Sequence, residues 1–282
     1  KEISIVAECR GTDATGISYV NYGQIVTYKK AKPAHKVKLF FPKGTTALIG
    51  HNRMTTQGNE KYNYNNHPFE GKTDNNAFAL AHNGILHNDS DLQKSEQLPK
   101  THIETDSYVA VQLLEKINRV DSESLKEVSE KVEGSFVFTV LRDDNTLYLV
   151  KGNNPITLLH FPQYGLYLYA STADILHKAM KSARFIEPFE KVEVDTGNIV
   201  KIDSKGEISK SHFHCEESYS WRWYMGMNEE RENELYIYAG YYGIDVEDID
   251  LLLEFGYSCD EIEEMFIDRQ LFETTMAELK AV

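Results

Sequence analysis

Ala77-Phe-Ala-Leu-Ala-His-Asn-Gly-Ile-Leu86 is the stretch on which the reading of the fold turns. Its first five residues, all apolar, read as a buried strand running into a polar tip at His82-Asn83-Gly84. About twenty residues on, Glu104-Thr-Asp-Ser107 stands at the start of a helix. That helix places Val109, Val111, Leu113, Leu114 and Ile117 on one face. Taken alone, each polar group has a plain structural explanation: Asn-Gly is a common turn, and Thr-Asp-Ser is a common N-terminal cap.

Working outward, the pattern repeats. Ile17-Ser-Tyr-Val-Asn-Tyr22 and Gln24-Ile-Val-Thr-Tyr28, split by Gly23, predict a hairpin, and Thr46-Ala-Leu-Ile-Gly50 a buried strand. Downstream, strands are predicted at 135–141, 146–150, 157–161, 166–169, 191–194 and 199–202. Helices are predicted from Thr105, over Ser122–Val132, and from Ser171 through Ile175, Leu176 and Met180, with Ser171 or Thr172 as N-cap. Strands, a helix pair and more strands imply an α+β layered fold with helices covering the sheets. Two further polar clusters sit at strand ends, where sites usually lie. They are Arg10-Gly-Thr-Asp-Ala-Thr-Gly16 and Gly50-His-Asn-Arg-Met-Thr-Thr-Gln-Gly58, the latter followed by His67-Pro-Phe69.

Charge divides the 282 residues. From Cys215 onward 18 Asp and Glu face 4 Lys and Arg, whereas the residues before it carry 26 of each, so the net charge of −14 belongs to the last quarter. Such a balance argues against a sequence-independent nucleic-acid coat, which needs surplus cations. The acidic part carries helical periodicity over Glu232–Tyr242, Val246–Phe255, Cys259–Ile267 and Leu271–Ala281, with Asp245, Ser258 and Gly256 as start and stop signals. Trp221 and Trp223 suggest an aromatic junction. The expected organisation is a domain over 1–213 and an acidic helical extension over 214–282. Cys9, Cys215 and Cys259 are too few and scattered for a disulfide framework, and no run approaches the ~18 apolar residues that span a bilayer. A cytoplasmic protein with no nucleic-acid or membrane partner is expected. His212-Phe-His214-Cys215 lacks a fourth metal ligand, and Asp245–Asp250 lacks the Gly and distal Glu of a calcium loop, so neither metal nor cofactor is expected.

Taken in order, the clusters resemble the class II glutamine amidotransferase domain, a family of N-terminal-nucleophile hydrolases. The shared pattern is Arg-Gly-x-Asp-x-x-Gly, Gly-His-x-Arg-x-x-Thr-x-Gly, His-Pro, His-Asn-Gly and Thr-Asp-Ser. Gly134-Ser-Phe-Val-Phe, Lys151-Gly-Asn-Asn-Pro155 and Ala170-Ser-Thr resemble later elements of the family, so that the likeness covers roughly residues 1–205. It implies a four-layer αββα sandwich, here with a small all-α appendage. It also implies that the Asn83 side-chain amide and the Gly84 N–H form a catalytic oxyanion hole. Arg53 would bind the carboxylate of L-glutamine, with Thr56 near it, and Asp106 would hold the α-ammonium group. His67 resembles a histidine on a loop over the site. Arg10 and Asp13 would be scaffolding around the nucleophile.

One departure is central. The family's nucleophile is a mature N-terminal Cys whose α-amine is the base, on a strand about 25 residues before the Arg-Gly turn. Only nine residues precede Arg10 here; they read as the end of the helix that follows that strand, and none of the three cysteines falls in a matching motif. The expectation is that about 15–20 residues, nucleophile included, precede this sequence. The implied activity is a glutaminase: a Cys thioester forms, ammonia leaves, and water releases glutamate. The residues after 213 are too few for a synthase domain, so ammonia is expected to pass to a partner docked on the acidic tail. Two alternatives stand beside this: a nucleophile-less glutamine-binding or interaction module, and a stand-alone γ-glutamyl amide hydrolase.

Overall fold

The computed structural model describes residues 1–215, 235, 239 and 242–280. The expected helix at Glu232–Tyr242 and the Trp221–Trp223 junction lie largely outside the described residues. The chain opens with α1 (Glu2–Val6), a 3-10 turn over Ala7–Arg10, and the strands β1 (Ala14–Asn21), β2 (Gln24–Lys30), β3 (Leu48–Arg53), β4 (Phe69–Lys72) and β5 (Ala77–Leu86). Three helices follow, α2 (Asp89–Ser95), α3 (Tyr108–Ile117) and α4 (Ser122–Lys131), then β6 (Gly134–Arg142), β7 (Leu147–Lys151), β8 (Thr157–Phe161) and β9 (Leu166–Ala170). The domain closes with α5 (Ala173–Ala183), β10 (Glu190–Val192), β11 (Asn198–Ile202) and β12 (Ile208–His212).

Every strand pairing is antiparallel. A six-stranded sheet runs β12-β11-β7-β6-β5-β4, and two three-stranded sheets run β2-β1-β3 and β10-β8-β9. Alternation along the strands sorts the layers, because successive side chains point to opposite faces. On β5 and β6, Phe78, Leu80, Phe136, Phe138 and Val140 share one core with Val109, Leu113, Leu125 and Val128 of α3 and α4. The alternate residues Ala79, Ala81 and Leu141 face the other way and pack with Val20 and Ile49 of the β2-β1-β3 sheet. Leu149 and Val200 likewise meet Leu158 of β8. Outside the smaller sheets, Ile175, Leu176 and Met180 of α5 join Leu159 and Phe161, with Ile3 and Val6 of α1 packed against them. Helix, sheet, sheet, helix is the resulting layer order, and it agrees with the expected α+β sandwich.

Two local readings change. His82-Asn83-Gly84 is no turn: β5 continues through it to Leu86, pairing Asn83 with Val137 and Gly84 with Phe136. Thr-Asp-Ser is no side-chain cap either, because Ser107 precedes α3 without a capping bond. Thr172, by contrast, caps α5 as expected, its hydroxyl accepting the Ile175 N–H.

The acidic segment forms α6 (Val246–Glu254), α7 (Cys259–Ile267) and α8 (Arg269–Leu279). Gly256 ends α6 in a Schellman motif: the Tyr257 N–H donates to Leu252 O and the Gly256 N–H to Leu253 O, with Gly256 at φ +87°. Ser258 and Glu261 then cap each other's main-chain N–H groups at the start of α7. These helices share a core of Ile249, Leu252, Ile262, Phe266, Phe272 and Met276. They meet the larger domain through edge-on packing of Phe255 against His177, a Lys181–Glu278 ion pair, and a bond from the Lys191 ammonium to Glu254 O. No helix among the described residues is long and apolar enough to cross a membrane.

Candidate active site

β3 and β9 each end their three-stranded sheet, and residues of both line one cleft of about 410 Å³. Ala81 and Asn83 of β5 with Val137 and Thr139 of β6 contribute to it from the six-stranded sheet, and Ile3, Ser4, Ala7 and Arg10 from the chain's opening turns. The Gly50 N–H of β3 donates to the Tyr169 hydroxyl of β9 at 3.4 Å, so one bond spans the two strands.

Asn83 brings an uncommitted donor to this cleft. Its side-chain Nδ2 is buried without a hydrogen-bond partner, while its main-chain carbonyl accepts Asn154 Nδ2 at 2.9 Å. A buried unsatisfied amide is costly, and such groups concentrate where a ligand completes them. Gly84 follows at φ +142°, and a Cβ there would lie 1.9 Å from the Ser135 carbonyl oxygen. Only glycine permits this strand to continue beside β6.

Arg53 ends β3, buried at 4% exposure. Its Nη1 donates to Asn66 Oδ1 at 2.7 Å and its Nη2 to the Gln57 carbonyl. Burial pulls its pKa down, and the negative charges of Glu60, Asp13 and Asp106 oppose that pull. Asp106, also buried, accepts the Leu86 N–H at 2.7 Å, and its other carboxylate oxygen lies 3.4 Å from the Ser107 hydroxyl oxygen. Asp13 orders the segment after Arg53: its N–H donates to Arg53 O, and its carboxylate accepts the Thr55 N–H at 2.8 Å. Thr56 is exposed on that segment, and Arg10 is exposed at the cleft wall.

His67 differs from its expected place. Rather than riding on a surface loop it is 6% exposed, packed 4.3 Å from the His51 ring and 4.5 Å from Phe69. Neither of its ring nitrogens has a hydrogen-bond partner. Burial drives its pKa well below the usual histidine value, with His51, His82, Arg53 and Lys29 adding repulsion. His51 is lowered to about 4 by the same desolvation, and His82 is lowered against the opposing pull of Asp106. Three neutral imidazoles therefore lie side by side. His82 Nε2 faces the Ser135 carbonyl at 3.3 Å and donates to it, which leaves Nδ1 to accept the Ser107 hydroxyl at 2.8 Å.

Of the expected residues, Asn83 and Arg10 line the cleft, while Arg53 and Asp106 are buried beyond its lining and feel each other's charge. Four residues given no role of their own from the sequence support them: Asn154, Asn66, Ser107 and His82. Asn154 lies in the Gly-Asn-Asn-Pro turn, whose other asparagine, Asn153, accepts the Phe136 N–H at 3.1 Å. Asn154, Ser107 and His82 each lie in one of the sequence motifs, whereas Asn66 lies in none. None of the three cysteines lines the cleft, and Cys9 is exposed. Among the described residues no group of three or more His, Cys, Asp and Glu side chains is arranged to hold a metal ion.

Residues 51–178 match the family model described as a glutamine amidotransferase domain. Over these residues the chain carries a glutamine amidotransferase domain. It is 31% identical over 215 residues to a glutamine–fructose-6-phosphate aminotransferase of Caldanaerobacter subterraneus, covering 73% of this chain and 34% of that protein. It is 26% identical over 200 residues to 7-cyano-7-deazaguanine synthase 2 of Sulfurisphaera tokodaii, covering 67% of this chain and 42% of the relative. The chain thus spans well under half the length of these relatives. Among solved structures, a glutamine phosphoribosylpyrophosphate amidotransferase from B. subtilis superposes with a TM-score of 0.60 at 19% identity, covering 74% of this chain and 45% of that one. That superposition supports the amidotransferase domain's layered architecture. The match of residues 51–178 takes in Arg53, Thr56, His67, Asn83, Gly84 and Asp106.

Proposed function

We propose that the domain hydrolyses the side-chain amide of L-glutamine through a cysteine thioester. The observation that carries this reading is the unpartnered Asn83 Nδ2 in the cleft. Amide cleavage passes through a tetrahedral oxyanion, and a buried amide donor on a backbone held by the Asn154 bond is available to one. Gly84 N–H is the second donor. The Arg53 guanidinium takes the α-carboxylate of glutamine and Asp106 its α-ammonium, with Thr56 beside the carboxylate. Arg10 and Asp13 hold the turns around the cleft, and His67 packs between His51 and Phe69.

The nucleophile of this reading is a Cys thiolate on an extended segment seated between β3 and β9. Both are terminal strands of their sheets along the same cleft, the geometry that accepts an added strand. Its sulfur attacks the glutamine Cδ and the oxyanion forms against Asn83 and Gly84. Collapse then expels the amide nitrogen as ammonia, which takes its proton from the α-ammonium of the Cys. Water, deprotonated by that amine, releases glutamate. Ammonia passes to a synthase partner, as the names of the longer relatives suggest, and the acidic helices α6–α8 offer a docking face.

The test is the N-terminal residue and intact mass of the native protein, with glutamate release from L-glutamine. A terminal Cys, and release that a diazo-ketone glutamine analogue blocks, are expected. A native terminus at Lys1 without glutaminase activity sinks the catalytic reading. The second reading, a glutamine-binding module without a nucleophile, is favoured by the absence of any described cysteine from the cleft wall. Glutamine binding without turnover by the native chain would establish it.

A further inference from the structure

Lys29 lies on β2, outside every motif of the site. Its ammonium nevertheless reaches the main chain on both sides of His67, donating to Asn66 O at 2.7 Å and Pro68 O at 2.9 Å, and it stands 5.0 Å from the centroid of the Phe69 ring. A lysine carries a long flexible stem, and holding it half-buried over an aromatic face costs both side-chain entropy and desolvation. Desolvation brings its pKa down from 10.5 to about 8, with Arg53 repelling it and Glu70 attracting it. A cation so disfavoured, set near a second cation, needs a compensating role. The two carbonyl acceptors supply it through charge-assisted bonds, about twice as strong as neutral ones.

Asn66 relays this grip. Its carbonyl accepts Lys29, its Oδ1 accepts Arg53 Nη1 at 2.7 Å, and its Nδ2 donates to Glu60 O at 2.8 Å. With the main chain and both ends of the amide held, the direction of the Oδ1 lone pair is set, and with it one edge of the Arg53 guanidinium. Backbone packing agrees. A Cβ on Gly16 of β1 would lie 2.0 Å from His67 O and 3.1 Å from the Lys29 Cβ, so β1 presses on the segment that Lys29 holds.

We propose that Lys29 is a positioning residue for Arg53, holding the Asn66–Pro68 segment so that Asn66 orients the guanidinium that grips the carboxylate of an amino-acid substrate. The assignment rests on Arg53 being the carboxylate ligand of glutamine.

The experiment uses the full chain at neutral pH, with Lys29→Met, Lys29→Gln and Lys29→Arg. Two readouts are taken: the Arg53 Nε–H resonance in protein labelled with 15N-arginine, assigned through Arg53→Lys, and the Kd for L-glutamine by calorimetry. In Lys29→Met the Arg53 resonance is expected to shift or broaden and the Kd to rise about fivefold or more, while Lys29→Arg restores both to within about twofold. Lys29→Gln keeps a donor and is expected to fall between them, which preserves the test should Lys29→Met fail to fold. An unmoved Arg53 resonance in both neutral variants overturns the proposal, as does a moved resonance with unchanged Kd. A general structural defect would leave Lys29→Arg as impaired as Lys29→Met, and that outcome overturns it too. Should wild-type protein not bind glutamine, the carboxylate reading fails on its own, and the resonance still reports whether Lys29 orders Arg53.

Discussion

The Asp106 carboxylate accepts the main-chain N–H of Leu86 at 2.7 Å, tying the loop before α3 to the end of the strand that carries Asn83 and Gly84. The group read as the ammonium ligand and the groups read as the oxyanion hole thus belong to one hydrogen-bonded unit. Replacing Asp106 by Ala is expected to do two things: abolish measurable glutamine binding and leave the buried Leu86 N–H unpaired. The second effect costs about 1–3 kcal/mol in denaturant unfolding. Unchanged glutamine affinity in a folded Asp106→Ala protein would remove Asp106 from the site.

Under the proposed function, Asn154 and Gly84 would act on the oxyanion hole by different routes. Losing the Asn154 bond to Asn83 O leaves substrate ligands intact, so Asn154→Ala is expected to lower kcat about tenfold with little change in KM. Gly84→Ala is a harsher change, since the new Cβ overlaps Ser135 O and the backbone sits at positive φ. It is expected to destabilise the domain by at least about 3 kcal/mol, read as a fall in the denaturation midpoint. Near-native stability of Gly84→Ala would mean that β5 and β6 part here more easily than the pairing indicates.

Acid sensitivity follows from the buried histidines. His51 titrates near 6.5 when unfolded and about 4 when folded, so between those values the unfolded chain binds the extra proton. The stability it confers is complete above about pH 6.5 and is lost as pH falls toward 4, in total about 3 kcal/mol. His67 and His82, lowered in the same direction, steepen the loss. Unfolding midpoints measured from pH 7 to 4 should fall accordingly, and His51→Asn should flatten part of the slope. A pH-independent midpoint would contradict the neutral, buried state of the cluster.

In the acidic helices, Gly256→Ala tests the Schellman ending of α6. The substitution strains a left-handed residue and brings a Cβ to 3.0 Å from Ala173 on α5, with an expected cost of about 1 kcal/mol. Thermal unfolding followed by the fluorescence of Tyr257 neighbours against glutamine binding should show the tail weakened and the affinity unchanged.

Periodicity made the layers readable in advance. On β6, alternation alone separates Phe136, Phe138 and Val140, which pack under α3 and α4, from Leu141, which meets the β2-β1-β3 sheet, and from Val137 and Thr139, which line the cleft. Capping signals served equally well at Thr172, Gly256 and Ser258, because those bonds are made within a few residues, whereas Asp245 stands at the start of α6 without a side-chain capping bond. Local rules failed where a polar residue bonds across the fold. Asp106 looks like a cap and instead serves Leu86, twenty residues away; Asn83-Gly84 looks like a turn and instead continues a strand, because β6 pairs it. β4 escaped notice because Phe69-Glu-Gly-Lys72 is too short for alternation to show. Lys29 could not be read at all, since its partners lie 37 and 39 residues away and share no motif with it. The carbonyl relay from Lys29 through Asn66 to Arg53 exists only once the chain has folded.

The cleft between β3 and β9 has a colloidal consequence. Terminal strands carry rows of main-chain donors and acceptors that attract any extended backbone. Gly50 and Tyr169 meet across this cleft through a single side-chain contact rather than a ladder. Preparations in which no segment occupies the groove should therefore adhere to one another, scattering light increasingly with concentration. A short soluble peptide able to lie between the two strands should return them to monodispersity, which makes the groove a handle on solubility as well as on chemistry.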